Sequence, residues 1–449
     1  MILKSSAIRQ VQEPFHYAVH MLTAHGLPGP LTPNGYLPRV VDTVMDTALV
    51  AAPIVVVEGA RGTGKSWTGL RHARSQVRLD SDPGAVEAAE LRPARVLDGA
   101  RPRLVDEWQL APGLWNVARH AVDAEPGWGC FIFTGSAHPP DDRTRHSGAG
   151  RVTRVRMRPM SLAESGESTA EVSLASLLDG GDCATGSPEA TLDDVVQALC
   201  RGGWPRHLGM TASSAQSLCR AYVQEVARAD IPRLGRTMHR PEAVLRLLAS
   251  LSRNIATAAA VTTLAEDVAG DHTPSRAAVA QYLEALRRVF VVEDLPSWAV
   301  HLRSRARLRR SPKRHFVDPS LAVATLRAGP ERLWRDTGYL GQAFESLVVR
   351  DLRIYAEAND ASVYHYRDSN DHELDAVVEH GDGRWLAVEV KLGSGARLDD
   401  AARSLTRACD QIDTSRVGEP VKRLVITAEG YGYERPDGVA VLPITALGP

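Results

Sequence analysis

Between Tyr36 and Ala163 the apolar positions fall in short runs: Ile54–Val57, Val77–Leu79, Arg103–Val105, Cys130–Thr134 and Val152–Met157. Segments with helical patterning lie between most of them. This alternation predicts an α/β unit with a parallel, doubly wound sheet over 36–165. The preceding stretch, 1–35, ends in a Pro/Gly-rich run (Gly26 to Gly35) and reads as an N-terminal arm. Residues 166–190 are rich in Gly, Ser and Ala with weak periodicity, which predicts a linker or mobile loop. Over 191–255 the apolar residues recur at helical spacing, giving a helical lid. In 256–315 a helix (Val261–Val268), a polar break, a second helix capped by Ser275 and a strand (Val289–Val292) trace the outline of a winged helix. The last unit, 316–449, opens with a helix (Gly341–Ala356). Strands follow at Val363–Tyr366, Leu374–Glu379, Trp385–Lys391 and Arg423–Thr427, so this is a second α/β domain.

Composition narrows the class. The chain has 449 residues, 44% hydrophobic and 24% charged, as expected of about three globular domains. A formal net charge of −1 argues against a protein that coats nucleic acid over its whole surface, while leaving room for a local basic face. The five cysteines lack metal-finger spacing and read as free thiols in a reducing compartment. Met1–Gln10 has no apolar signal core, and no apolar run approaches the roughly 20 residues that span a bilayer. The expectation is a cytoplasmic protein with no membrane partner.

Directly after the first strand, Gly59-Ala60-Arg61-Gly62-Thr63-Gly64-Lys65-Ser66 fits G-x-x-x-x-G-K-[ST] at every fixed position, and a helical segment opens at Trp67. Strand, glycine loop and helix together make a phosphate-binding loop, whose N–H groups cradle the phosphates of a nucleotide such as ATP. Of 53 Lys and Arg only five are lysine: Lys4, Lys65, Lys313, Lys391 and Lys422. A lysine kept at position 65 in so arginine-rich a chain points to a task for a compact ammonium, which fits between β- and γ-phosphates where a guanidinium does not. Ser66 and Asp106, at the end of the third strand, are the candidates for Mg²⁺. Glu107 is the candidate for orienting the attacking water. Ser136 or Thr134, at the end of the fourth strand, is placed to sense the γ-phosphate. Arg151 is the candidate arginine contact to that phosphate, from its own or a neighbouring subunit.

Two further patterns carry chemistry. Along Trp385–Lys391 alternate side chains share a face, so Glu389 and Lys391 lie together. Asp375 on the neighbouring strand and Glu345 on the preceding helix complete an acidic cluster. Carboxylates with a lysine suit Mg²⁺ or Mn²⁺ binding and metal-assisted phosphodiester hydrolysis. A solvated strand face with alternating charges would look the same. In His301–Arg309, arginines occupy 303, 305, 307 and 309. Extended, Arg303, Arg305, Arg307 and Arg309 form one basic face, suited either to DNA phosphates or to a solvated edge strand.

Several segments together resemble the prokaryotic family of AAA-type ATPases with a C-terminal domain similar to PD-(D/E)xK restriction endonucleases. They are Tyr36–Arg39, the glycine loop, Leu104–Gln109, Thr134–Ser136, Gly150-Arg151, Pro159–Glu164, Gly202–Pro205, Val317–Leu321, Gly341–Glu345 and Glu389–Lys391. The arm before Tyr36 and Trp67 after the loop serine depart from the pattern. The resemblance implies an AAA-type core, a helical and winged-helix middle and a nuclease-like tail. Two functions follow as expectations. One is ATP-regulated binding, with or without cleavage, of nucleic acid. The other is a nucleotide switch that binds a partner protein through an inactive tail.

Overall fold

The computed structural model describes residues 29–137, 147–186, 190–234, 240–269, 275–300, 311–393 and 395–449. The first five apolar runs form one parallel sheet: β1 (Ile54–Glu58), β2 (Ser75–Arg78), β3 (Arg103–Asp106), β4 (Phe131–Gly135) and β5 (Val152–Arg156). Their order is β2-β3-β4-β1-β5. The central strands are apolar on both faces because both are covered. Val55 and Val57 pack with Met45 of helix α1 (Val41–Ala51). Ile54 and Val56 face the other way, towards Phe133 and Trp115. With β1 beside β4, and β4 beside β3, the loops leaving these three strands meet at one edge, where helix α2 (Lys65–His72) begins.

Within the segment expected as a linker over 166–190, Val172–Leu178 is instead regular structure that packs into the core. After α3 (Leu114–Ala124) and α4 (Leu162–Ser165), strand β6 (Val172–Ser173) leads into α5 (Leu174–Leu178). Leu174, Leu177 and Leu178 are buried against the C-terminal domain. Small residues dominate the composition there, but three leucines at helical spacing are enough to bury one face of a short helix. Helices α6 (Leu192–Arg201), α7 (Ala212–Glu225) and α8 (Pro241–Arg253) build the helical unit. Next come α9 (Val261–Val268), α10 (Arg276–Arg288) and an antiparallel pair, β7 (Val292–Leu295) with β8 (Lys313–Phe316). Ser275 does cap α10, its Oγ accepting from Ala278 N at 3.1 Å. The strand expected at Val289–Val292 starts at Val292, because Phe290 adopts a positive φ of 61° and turns the chain out of the helix.

The C-terminal unit runs α11 (Pro319–Thr325), α12 (Thr337–Ala358), β9 (Ala361–Arg367), β10 (Glu373–His380), β11 (Trp385–Lys391), α13 (Ala396–Asp410) and β12 (Lys422–Thr427). Two later strands, β13 (Tyr433–Glu434) and β14 (Val439–Pro443), extend its sheet, and β15 (Leu447–Gly448) pairs with β6. The order is β13-β14-β12-β11-β10-β9, antiparallel through β9, β10 and β11 and parallel from β11 to β12 and β14. The long α12 packs on one face and α13 on the other.

The two α/β units are locked through the helical one. Gly203 approaches the chain so closely that a Cβ there would lie 1.9 Å from Met160 O. Its N–H donates to Asp318 Oδ2 at 2.9 Å, and Asp318 in turn takes Arg350 of α12 at 2.8 Å. The neighbouring Asp351 accepts from Leu162 N at 2.9 Å. All five cysteines are free and buried. Among the described residues no helix is long and apolar enough to cross a membrane.

Candidate functional site

The glycine loop turns tightly at the end of β1. Gly64 holds a φ of 103°, open to glycine at little cost, and α2 starts at the next residue. Gly62, Gly64, Lys65, Ser66 and Trp67 line a cavity of about 1340 Å³, together with Glu107 and Ser136. Gly59, Ala60 and Thr63 form the base of the loop, Thr63 Oγ1 donating to Ala60 O at 3.0 Å. Lys65 Nζ also donates to Ala60 O, at 2.7 Å. Burial lowers its pKa to about 8, against the opposing pull of Glu107 and Asp106.

Asp106 lies directly behind this wall, 2% exposed, with Oδ1 accepting from Ser66 Oγ at 2.8 Å and also from Thr134 Oγ1. A hydroxyl and a carboxylate that touch at the mouth of a phosphate loop are hard oxygen donors that fit Mg²⁺. Glu107 adopts a positive φ of 56°, unusual for a side chain of its size, and lines the cavity. Its Oε2 accepts from Gln109 Nε2, and Ser136 Oγ stands 3.4 Å away. The two hydroxyls therefore divide: Thr134 serves Asp106, and Ser136 serves Glu107.

Arg151 does not join them. Its carbonyl accepts from Ile54 N at 3.1 Å, at the beginning of β1, whereas the loop follows the end of that strand. Its guanidinium pairs with Asp123 of α3. A contact to a γ-phosphate of its own subunit is thus corrected: in a parallel sheet, a residue just before a strand sits at the edge opposite the phosphate loop. The arginines that do line the cavity are Arg39, Arg61 and Arg206; sequence reasoning placed Arg61 there, as part of the nucleotide-binding loop, and gave no role to Arg39 or Arg206. Arg39 Nη1 donates to Thr63 O at 2.8 Å and its Nε meets Glu164 Oε1 at 2.9 Å. Arg61, inside the loop, pairs with the buried Asp230 at 3.0 Å and so ties the loop to the helical unit. Arg39 and Glu164 lay within the family-like segments Tyr36–Arg39 and Pro159–Glu164, the one signal that pointed to them.

A second polar cluster occupies the C-terminal domain. The register pairing Ala376 with Val388 brings Asp375 beside Glu389, as the alternation predicted. Asp375 Oδ2 accepts from Val390 N at 2.9 Å, and Lys391 Nζ pairs with Glu389 at 2.9 Å. Glu345 reaches the cluster from α12. At its centre stands a residue that sequence reasoning passed over: Lys313 of β8. Its Nζ lies 2.8 Å from Glu345, 2.6 Å from Glu373 and 3.4 Å from Asp375. Burial opposes charge on Lys313, but the three carboxylates outweigh it and raise its pKa. Four carboxylates still face only two ammoniums. Burial and Asp375 push Glu345 up to about 8, and the same two causes push Glu389 up to about 7.

These side chains do not fit a divalent cation. The place between the carboxylates already holds an ammonium. Among the described residues, no group of three or more His, Cys, Asp or Glu comes together as a metal-binding set. The arginine run 303–309 lies outside the described residues.

Comparison with known families agrees with the phosphate-loop unit. Residues 51–166 match the AAA domain, residues 192–332 a domain of unknown function (DUF8612) and residues 340–447 another domain of unknown function (DUF4143). The first unit is thus similar to the AAA domain. No curated protein matches the chain. Among solved structures, a Walker-type ATPase of Pyrococcus abyssi is similar at 12% identity over 66% of this chain and 98% of that one. Its TM-score is 0.41.

Proposed function

We propose that the chain is an ATP-hydrolysing AAA-type protein whose nucleotide state governs binding of nucleic acid by the units that follow. The observation that carries the ATPase part is the meeting of Lys65, Ser66 and Glu107 at one cavity wall, with Asp106 hydrogen-bonded to Ser66 behind it. Lys65 neutralises the β- and γ-phosphate oxygens. Ser66 and Asp106 would hold Mg²⁺, which supplies further charge neutralisation on the phosphates. Glu107, steadied by Gln109 and Ser136, orients the water. The helical unit contributes Pro205, Arg206 and Asp230 to the same cavity, which gives a route from the nucleotide to the rest of the chain.

In this reading α9, α10 and the β7–β8 pair act as a winged helix, and Arg303, Arg305, Arg307 and Arg309 grip phosphates. Their reversal to glutamate abolishes salt-sensitive DNA binding; unchanged binding refutes that part. The C-terminal unit has the order helix, three antiparallel strands, helix, parallel strand, with an acid pair across its middle strands. This supports a restriction-endonuclease-like domain.

A second reading is a nucleotide switch that binds a partner protein through a catalytically inactive C-terminal domain. Lys313 at the centre of the acidic cluster favours it over cleavage. ATP turnover with and without DNA, in wild type, Lys65→Ala and Lys391→Ala, separates the two. Turnover stimulated by DNA supports the first. Turnover indifferent to DNA supports the second, and turnover unaffected by Lys65→Ala removes both.

A further inference from the structure

Lys313 belongs to the middle unit, yet it ends in the C-terminal one. β8 pairs with β7 through Lys313 and Leu295, and the strand is almost wholly buried. Two residues on, His315 Nδ1 meets Ser346 Oγ of α12 at 3.1 Å, in a fully buried contact. On the other side of the pair, Trp298 N donates to His365 O at 2.7 Å and His365 N to Pro296 O at 3.0 Å, stitching the chain after β7 to β9. The backbone that carries Lys313 is therefore held on both sides. Only 6% of its side chain is exposed, and its ammonium faces carboxylates from α12 (Glu345) and from β10 (Glu373 and Asp375).

A divalent metal needs carboxylate oxygens at about 2.0–2.6 Å around one point. Here that point holds a nitrogen. For a metal to enter, the ammonium must leave a buried site, and the charge it balanced must be taken over at the same time. Without Lys313, two or three carboxylates would converge on empty space between α12 and β10, which is what a hard cation seeks.

We propose that Lys313 is the resident cation of the C-terminal acidic site: it takes the place of a divalent metal and pins the β7–β8 pair to α12 and β10. The inference deepens the reading of this domain as nuclease-like but inactive, and it rests on that reading only for the expectation that a metal would otherwise be bound. It differs from a solvated charge pair, because the lysine is buried and shared among three carboxylates from two elements.

The test is binding of Mn²⁺ to the full-length protein without nucleotide, followed by electron paramagnetic resonance and calorimetry. The proteins are wild type, Asp375→Asn, Lys313→Met and the double variant. Wild type and Asp375→Asn bind Mn²⁺ alike, with no occupancy that depends on Asp375. Lys313→Met gains one site, tighter by at least tenfold than any in wild type, and the double variant loses it. Mn²⁺ bound by wild type and lost in Asp375→Asn overturns the proposal, and this arm stands even where Lys313→Met fails to fold. A folded Lys313→Met that gains no site overturns it equally. The nuclease reading fails separately. Metal-dependent DNA cleavage by wild type that survives Asp375→Asn would place chemistry elsewhere and leave Lys313 as proposed. Cleavage lost in Asp375→Asn while Lys313 is intact would overturn both.

Discussion

Lys65 and Lys313 are the same side chain, each about 5% exposed, and they are set up in opposite ways. Lys65 Nζ touches a carbonyl and faces a large cavity, and burial lowers its pKa to about 8. Lys313 Nζ touches three carboxylates, and they raise its pKa. The first has no ion-paired carboxylate within reach of its Nζ among the described residues and, in the function proposed above, is completed by the phosphates of a nucleotide. The second has its counter-ions within the fold and has little to gain from a ligand. A buried lysine therefore says little by itself about chemistry. What decides is whether its anions are internal or must be brought in.

The largest effect that could break this comparison is on turnover. Lys65→Ala lowers ATP turnover by about 100-fold or more, as loss of a preorganised charge at a reacting phosphate does. Turnover within a few-fold of wild type would contradict the assignment. Next is stability. Lys313→Met leaves uncompensated carboxylates in a buried site and costs about 3–5 kcal/mol in denaturant unfolding. Lys391→Ala is the matched control. That ammonium has a side chain 40% exposed and, among the described residues, one ion-pair partner, Glu389, so its removal costs roughly 1 kcal/mol or less.

The pH dependence is smaller and has a defined sign. Glu345 and Glu389 have folded pKa values raised to about 8 and about 7, so the folded chain binds more protons than the unfolded one above the ordinary carboxylate range. Their contribution is complete below about pH 4.5 and is lost as pH rises through 7 to 8. Unfolding followed from about pH 5 to pH 9 should show a progressive loss of stability, reduced in Glu345→Gln. The smallest effect concerns Lys65. ATP restores its charge, so binding at about pH 8.5 takes up a proton, detected as heat that depends on the buffer. Uptake that persists in Lys65→Ala would assign the proton to another group.

Much of this was legible before the fold was known, and the reasons differ by region. β1, β3 and β4 announce themselves because central parallel strands are buried on both faces. The phosphate loop is local in sequence, so its spacing alone brings Lys65 and Ser66 together. The Asp375–Glu389 pair followed from period-two alternation on neighbouring strands. Lys313 could not be found in this way: its partners lie 32 and more residues onward, on elements whose packing no local pattern encodes. Its one sequence signal was scarcity, as one of five lysines. A contact of Arg151 to the phosphate of its own subunit was misjudged, because a motif position says nothing about which edge of the sheet it occupies; the contact to a neighbouring subunit stays an expectation. The 166–190 segment was misjudged because composition hid a short leucine stripe.

Scarcity also supplies the most direct test. With five lysines in the chain, protein labelled with carbon-13 at lysine Cε gives few signals, each assignable by substitution. The account predicts one signal, absent in Lys65→Ala, that titrates near pH 8 and moves when ATP is added. It predicts another, absent in Lys313→Met, that stays protonated above the ordinary lysine range and moves with neither ATP nor Mn²⁺. Two signals titrating together near the ordinary lysine value of about 10.4, or a Lys313 signal that shifts with Mn²⁺, would contradict it.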